Sequence, residues 1–112
     1  MLNIDYNNNI TLTRGDSLAL KVTLIKDDTE YTPSASDTIR FAVSKSYAGM
    51  PDYDLLIEKS ISPITLELTL DSTDTAELFF GRYNYDIELT IAETGAVYTF
   101  ISAFLTITGE CE

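Results

Sequence analysis

Residues 81–91 of this chain read GRYNYDIELTI. Apolar side chains take every second position from Tyr83 to Ile91, and polar or charged side chains stand between them. Successive side chains of a β-strand point to opposite faces of its sheet, so this spacing predicts a strand with one buried and one wet face. Antiparallel sheets commonly expose one face to water in this way, and the stretch therefore favours an antiparallel β protein.

The same period of two recurs on both sides of this stretch. The clearest further strands are predicted by two runs: Leu18, Leu20, Val22 and Leu24; Ile64, Leu66, Leu68 and Leu70. A shorter run contains Ile39, Phe41 and Val43. Shorter or weaker candidates lie at 2–6, 10–12, 55–59, 96–101 and 104–108. The sequence does not decide which face of the last two predicted strands is buried. Two sets of residues compete for it: Tyr98, Phe100 and Phe104 against Val97, Ile101, Leu105 and Ile107.

Residues that favour turns separate these runs. Tight turns are predicted at 7–9, 14–16 and 93–95, a loop tip at 48–52 and a longer loop over 27–37. Ser62 and Pro63 are expected to lead directly into a strand at Ile64. Residues 71–78 break the alternation, because Asp71 or Ser72 is placed to accept from the free amides of a first helical turn. We therefore expect one short helical turn between two long strands.

Together the runs predict an all-β fold, a single domain over residues 1–112. We expect an antiparallel sandwich of about seven to nine strands with one short helical turn. A closed barrel is the alternative architecture. The helical turn before Gly81 favours the sandwich, since it looks like a connection between two sheets, where an up-and-down barrel more often has a plain hairpin.

The composition restricts the chemistry that is open to this chain. It has 7 Lys and Arg against 18 Asp and Glu, no His and one Cys, for a net charge of −11. Nucleic acids and anionic membranes bind clustered cations, so we expect neither as a partner. Without His, the usual general base and the commonest zinc ligand are missing. Cys111 cannot form an internal disulfide and is expected to be a free thiol, with an intermolecular disulfide as the alternative.

Polar residues that suit a catalytic site have simpler interpretations. A serine nucleophile would need a desolvated lysine, but the lysines lie in or beside alternating strands and are expected in solvent: Lys21, Lys26, Lys45 and Lys59. Acid pairs in or beside loops would suit a glycosidase, and these are Asp27 with Asp28 and Asp52 with Asp54. Acidic chains usually keep such residues solvated. We therefore predict that the protein is not an enzyme and has no catalytic residues.

Calcium is the remaining metal candidate, because it prefers carboxylate oxygens in loops. The acids that would supply them are Asp27, Asp28, Glu30 and Asp37, with Asp52 and Asp54 in a D-x-D spacing. The glycine and glutamate of an EF-hand loop do not follow that spacing, and no glycine-rich phosphate loop is present. We predict no cofactor and no metal-ligating residue, and calcium stays an alternative.

Two further motifs point to contact surfaces. Residues 14–16 contain the integrin-binding tripeptide Arg-Gly-Asp, but a turn explains it better, with Gly15 supplying a positive φ and Asp16 capping the turn. Tyr31, Tyr47 and Tyr53 fall in predicted loops. Tyrosine is favoured at contact surfaces, although these rings would also pack over the ends of a sandwich, and both interpretations stay open.

Residues 81–87 resemble the start of strand F in immunoglobulin-like domains. In that pattern the first tyrosine forms a tyrosine corner, bonding back to the chain just upstream, and Tyr83 matches it. Tyr85 stands where antibody domains have a cysteine, and Phe79 stands where an acid usually precedes the glycine. The resemblance implies an immunoglobulin-like sandwich other than the antibody version.

The wider layout resembles the immunoglobulin-like N-terminal domain of tailed-phage baseplate upper proteins and related prophage structural proteins. The matching segments are 10–17 (ITLTRGDS), 39–43 (IRFAV), 70–75 (LDSTDT) and 81–87. The resemblance implies a structural component of a phage or prophage tail or baseplate, synthesised in the bacterial host cytoplasm and located in the virion. Its partners would be other phage structural proteins or further copies of itself, and the family brings no catalytic residues.

A second function stands beside this one, namely a cell-surface or carbohydrate-binding immunoglobulin-like module, with or without calcium. Residues 1–9 show no basic segment followed by an apolar run, so the sequence predicts no signal peptide. This expectation favours the particle component over the cell-surface module.

Overall fold

The computed structural model describes residues 2–4, 8–45, 55–76 and 78–109. These residues form ten strands, more than the seven to nine expected, and one short helix, and this confirms the predicted all-β class. In chain order the elements are β1 (Leu2–Ile4), β2 (Ile10–Thr13), β3 (Leu18–Lys21), β4 (Leu24–Lys26), β5 (Thr29–Tyr31), β6 (Thr38–Lys45), β7 (Leu55–Ile61), β8 (Glu67–Leu70), α1 (Ser72–Ala76), β9 (Gly81–Thr90) and β10 (Val97–Thr108).

Six strands form one open sheet in the order β1-β2-β10-β9-β6-β7, with β1 and β7 at its edges within the described residues. Its neighbouring strands are antiparallel except for β2 and β10, which run parallel. β3 pairs with β8, and β4 pairs with β5, in two smaller antiparallel sheets. The open order of the large sheet differs from that of a closed barrel and gives the fold a sandwich-like character.

The core collects apolar side chains from the large sheet and from both small ones. β9 keeps the alternation predicted for it, with Tyr83, Tyr85, Ile87 and Leu89 buried and half-buried residues between them. The rings of Tyr85 and Phe41 lie 5.4 Å apart between centroids, within the range of favourable aromatic pairs. The other fully buried side chains include Ile10, Leu12, Leu24, Ile39, Val43, Ile61, Leu68, Leu70, Leu105 and Ile107.

The alternating run from Leu18 to Leu24 forms two strands, and the prediction of one strand is wrong. β3 ends at Lys21 and pairs with β8, whereas β4 pairs with β5. Between them, the amide of Val22 donates to the carbonyl of Leu66 at 2.6 Å. Val22 and Leu24 are both buried, so the period of two continues through the break and hides the change of partner.

β8 begins later than predicted, because the chain turns at Ile64 instead of entering a strand there. The hydroxyl oxygen of Ser62 accepts from the amides of Ile64 (3.2 Å) and Thr65 (3.4 Å). Leu66 then takes a positive φ of 54°, and Ile64 is 75% exposed. Local bonds from a serine side chain to the backbone thus compete successfully with the strand that the apolar spacing predicts.

The two strands predicted after residue 95 are one strand, β10, whose register against β9 shifts between Thr99 and Ile101. Before the shift, Tyr98 lies opposite the buried Leu89. After the shift, the odd-numbered Leu105 is buried. A shift of one residue exchanges the two faces of a strand, and this explains why neither face was apolar along the whole sequence.

Turn predictions are confirmed at Asn8, Gly15 and Gly95, which have φ values of 66°, 87° and 75°. The segment 48–52 lies outside the described residues. The loop predicted over 27–37 is shorter than expected, because Asp27 and Asp28 have φ values of 52° and 62° and form a two-residue hairpin turn between β4 and β5. The helical turn expected within 71–78 is present as α1.

Candidate interaction surfaces

Arg14 connects the turn at 14–16 to the segment around the end of α1. Its Nε donates to the carbonyl oxygens of Ala76 (3.0 Å) and Leu78 (3.1 Å), and its guanidinium lies 5.8 Å from the centre of the Phe80 ring. Carbonyl groups at a helix C-terminus lack intrahelical hydrogen-bond donors, and the Arg14 side chain supplies a donor to two carbonyls in this region. The arginine of the Arg-Gly-Asp tripeptide therefore holds two loops together.

Thr75 completes this connection from α1. Its side chain is fully buried, and its hydroxyl donates to the carbonyl of Asp16 at 2.7 Å and accepts from the amide of Gly15 at 3.1 Å. Buried hydroxyl groups are normally bonded, and this one fixes the backbone of the turn. The turn predicted at 14–16 is confirmed, and its attachment to Thr75 is a contact that the sequence did not indicate.

Asp74 closes the first turn of α1. Its Oδ2 accepts from the amide of Asp71 at 2.9 Å, and Lys59 Nζ lies 3.1 Å from the same oxygen. The backbone bond from Asp71, and after it the Lys59 ammonium, hold the pKa of Asp74 below its ordinary value against the opposing effect of burial. The sequence assigned side-chain capping to Asp71 or Ser72, whereas here the accepting carboxylate comes from the third residue of the helix.

Asp37 is a buried acid with a structural role. Its side chain is bonded through both oxygens, to the amide of Ser34 at 2.9 Å and to the amide of Ala92 at 3.1 Å. The residue is 6% exposed. These bonds join the segment before β6 to the hairpin between β9 and β10. The sequence suggested this carboxylate as a calcium ligand, but both of its oxygens accept hydrogen bonds from backbone amides.

The other candidate calcium ligands do not gather around Asp37. Asp27, Asp28 and Glu30 lie exposed on the hairpin formed by β4 and β5. Within the described residues, no three acidic or cysteine side chains come together as a metal site would require. The D-x-D pair at 52 and 54 lies outside the described residues.

The four lysines considered for nucleophile activation occupy the exposed or partly exposed positions expected for them. Lys21, Lys26 and Lys45 are exposed, and Lys59 is half-buried beside Asp74. An ammonium group in such surroundings keeps its hydration, which does not favour the desolvation that activates a lysine.

Tyr83 makes the hydrogen bond that the strand F resemblance implies. Its hydroxyl donates to the carbonyl of Phe79, four residues upstream, at 2.7 Å. This contact confirms the expected bond from Tyr83 to the chain just upstream. Tyr85 is also buried and donates to the carbonyl of Asn8, a contact that no sequence signal indicated.

Aromatic side chains gather where the β4–β5 hairpin approaches β10, and we call Ile25, Lys26, Tyr31, Tyr98 and Phe100 the aromatic patch. The Tyr31 and Phe100 rings are 5.6 Å apart between centroids. Lys26 Nζ lies 4.9 Å from the centre of the Tyr98 ring, a cation–π distance. Tyr31 stands on a strand, not in the predicted loop, while positions 47 and 53 lie outside the described residues.

Two adjacent phenylalanines project between α1 and β9, and we call Phe79 and Phe80 the phenylalanine pair. They are 81% and 61% exposed. The Phe80 ring lies beside Gly109 and under the Arg14 guanidinium. In the sequence, Phe79 stood out only as a departure from the strand F pattern. Two apolar residues directly before Gly81 are the signal that could have predicted this exposed pair.

The outer face of the large sheet is more polar. Arg40 pairs there with Glu58 and, at 3.5 Å, with Glu88. The hydrogen bond to Glu58 is the main reason that the pKa of Arg40 lies above its ordinary value. Arg82 lies 4.4 Å from the centre of the Phe104 ring. Arg40 and Arg82 on this face thus have partners within the chain.

Comparison with known protein families and with curated proteins gave no match to this chain. Among the described residues, no helix is both long and apolar enough to cross a membrane.

Proposed function

We propose that this chain is an immunoglobulin-like assembly module of a phage or prophage particle, located in the tail or baseplate. Its function is to make protein–protein contacts with other structural proteins of the particle. The particle context comes from the resemblance of residues 10–108 to phage structural domains. The contact function comes from the surfaces described above.

The strand arrangement supports the immunoglobulin-like part of the proposal. In this proposal the adjacent strands β6, β9 and β10 take the places of strands C, F and G of such sandwiches, and β3 with β8 takes that of B with E. The parallel pairing of β2 with β10 fits an opening strand that joins the same sheet as strands C, F and G. The bond from Tyr83 to Phe79 fits the tyrosine corner at the start of strand F.

The observation that carries the contact function is the exposure of the phenylalanine pair. Phe79 and Phe80 present most of their ring surface to water. Burial of one such ring by a partner is worth roughly 1.5–3 kcal/mol, and phenylalanine is enriched in the cores of protein interfaces. Two adjacent exposed rings are therefore an anchor for another protein.

The charge of the chain indicates the kind of partner. A net charge of −11 repels other acidic surfaces and keeps free copies apart. A partner with a basic rim around an apolar pocket would attract the chain over a distance and then bury the rings.

Quantitative mass spectrometry of purified phage particles tests this proposal. We expect the chain at a fixed copy ratio to other tail proteins, because an assembled component occupies defined symmetry positions. Particles in which the other tail proteins are detected and this chain is missing would overturn the proposal.

The aromatic patch favours a second candidate, a carbohydrate-binding module. The exposed Tyr98 ring and the nearby Phe100 resemble a surface on which a sugar ring could stack. A thermal shift with a panel of glycans, with and without calcium, tests this candidate. A saturable shift that Tyr98→Ala removes would support it, and unchanged melting across the panel would reject it.

A further inference from the structure

A cleft of about 230 Å³ opens between the large sheet and the β3–β8 sheet, beside the edge strand β1. Apolar side chains from both sheets line it: Ile4, Ile10, Leu20, Leu68, Ile87 and Ile101. An apolar cavity of about 150 Å³ accepts a molecule as large as benzene. The cleft therefore has room for at least one large apolar side chain.

The outer edge of β3 borders this cleft and has no strand beside it within the described residues. The amide of Val22 donates to Leu66, so even-numbered residues of β3 direct their backbone groups toward β8. Bonding directions alternate along a strand, and the backbone groups of Ala19 and Lys21 therefore point away from β8. An unpaired edge of this kind is a template for another strand.

Apolar side chains along the cleft are incompletely covered. Ile4 is 40% exposed, and Leu20 and Ile101 are half-buried. Each of these residues lies directly opposite a buried apolar residue in its strand pair, so each faces the interior of the fold. One more strand beside β3 would cover the part of the large sheet that the two-stranded β3–β8 sheet leaves exposed.

We propose that the β3 edge and this cleft accept an extended segment of a second protein. The segment would pair with the backbone groups of Ala19 and Lys21 and place an apolar side chain in the cleft. This is recognition by strand addition, in which the main chain gives affinity and the side-chain site gives specificity. The inference rests on the proposed function as an assembly module and names how one partner binds.

Charge indicates the chemistry of that segment. Each copy of the chain carries a net charge of −11, which opposes the approach of a second copy. Among the described residues that line the cleft, Lys21 alone is charged, so the inward side chains of the segment are apolar. The occupant is therefore a segment of a net-basic protein with apolar residues at alternate positions.

Two proline variants provide a matched test, because Ala19 and Thr69 lie directly opposite each other in the β3–β8 sheet. The backbone groups of both point away from the shared ladder, and proline is tolerated at such edge positions. Ala19→Pro blocks the edge beside the cleft, whereas Thr69→Pro blocks the opposite edge of the same sheet. The probe is a bead-displayed library of peptides of about nine residues that alternate Val, Ile, Leu or Phe with Thr, Lys or Arg.

Enriched peptides are synthesised and titrated calorimetrically into the wild-type chain and both variants. We expect Ala19→Pro to weaken binding by about tenfold or more, the equivalent of about 1.4 kcal/mol, and Thr69→Pro to leave it unchanged. In the wild-type chain, bound peptide should slow hydrogen exchange at the amides of Ala19 and Lys21, and this readout does not depend on folding of a variant.

Several outcomes would overturn the inference. These are a library without an enriched peptide, equal affinity for both proline variants, or unchanged exchange at the two β3 amides. A dimer at high salt that Ala19→Pro abolishes would also overturn it, because the occupant would then be a second copy. None of these results depends on particle composition. A chain found at a fixed copy ratio in particles would therefore keep its assembly function even if the cleft binds no peptide.

Discussion

Replacement of Asp37 by alanine is expected to destabilise the fold through two backbone amides that the carboxylate now satisfies. One oxygen accepts from Ser34 at 2.9 Å and the other from Ala92 at 3.1 Å, in a residue that is 6% exposed. Alanine removes both acceptors and releases the β9–β10 hairpin from the start of β6.

The magnitude follows from these two bonds. A hydrogen bond to a charged group contributes roughly 1.5–3 kcal/mol. Ser34 and Ala92 are exposed residues, so water replaces part of what is lost. We therefore expect the free energy of unfolding to fall by about 2–3 kcal/mol for Asp37→Ala. Asp37→Asn keeps one acceptor and should lose about half of that amount.

Urea unfolding followed by circular dichroism measures this effect. Glu93→Ala is the matched control, since Glu93 is an exposed acid on the same hairpin and its loss changes the net charge equally. The control should change the free energy of unfolding by less than about 0.5 kcal/mol. If Asp37→Ala and Glu93→Ala are equally stable at an unchanged m-value, the structural role assigned to Asp37 is refuted.

Three further predictions concern stability. Tyr83→Phe loses the bond to Phe79 and should cost about 1 kcal/mol in urea unfolding; a loss near zero would contradict a stabilising role for that bond. Asp28→Gly relieves a positive φ of 62° and should raise the free energy of unfolding by about 1 kcal/mol, whereas a lower free energy of unfolding would contradict the hairpin turn. Because the folded pKa of Asp74 is depressed, its stabilisation is complete above the ordinary value near 3.8 and disappears as pH falls through the folded value. A titration of melting temperature should show this loss below about pH 4 in the wild type and a smaller loss in Asp74→Asn; equal curves would contradict the assignment.

Strand identity followed from the sequence where one face of a strand is buried along its whole length. The run from Tyr83 to Leu89 lies in the middle of the large sheet, with a paired strand on each side. Each of its apolar residues therefore meets the core, and local pattern and tertiary burial agree. Ile39, Phe41 and Val43 on β6 behave in the same way.

The alternation of apolar and polar residues predicted the strands wrongly where it continued through a turn or past a change of strand partner. At Ile64 the Ser62 hydroxyl bonds to the backbone and turns the chain, although the apolar spacing continues. At Val22 the spacing also continues while the strand partner changes from β8 to β5. A pattern of hydrophobicity reports which face is buried, and it carries no information about which strand lies alongside.

The candidate interaction surfaces were harder to predict from the sequence than the strands were. An exposed Phe79 and a buried Phe41 are the same residue type, and only the tertiary arrangement distinguishes them. Asp37 was considered from the sequence as a calcium ligand, but its carboxylate accepts hydrogen bonds from the amides of Ser34 and of Ala92, which is far away in the sequence. Long-range partners of this kind leave no trace in local spacing.

The proposed assembly function is tested most directly by incorporation of variants into particles. Phe79→Ser with Phe80→Ser removes the phenylalanine pair, and Ile64→Ser removes an equally exposed apolar residue beyond the other end of β8. Quantitative mass spectrometry of particles made with each variant should show the wild-type ratio for Ile64→Ser and loss of the chain for the double variant, at equal melting temperatures of the free proteins. Equal incorporation of both variants, or a wild-type chain that is missing from particles, would contradict the account.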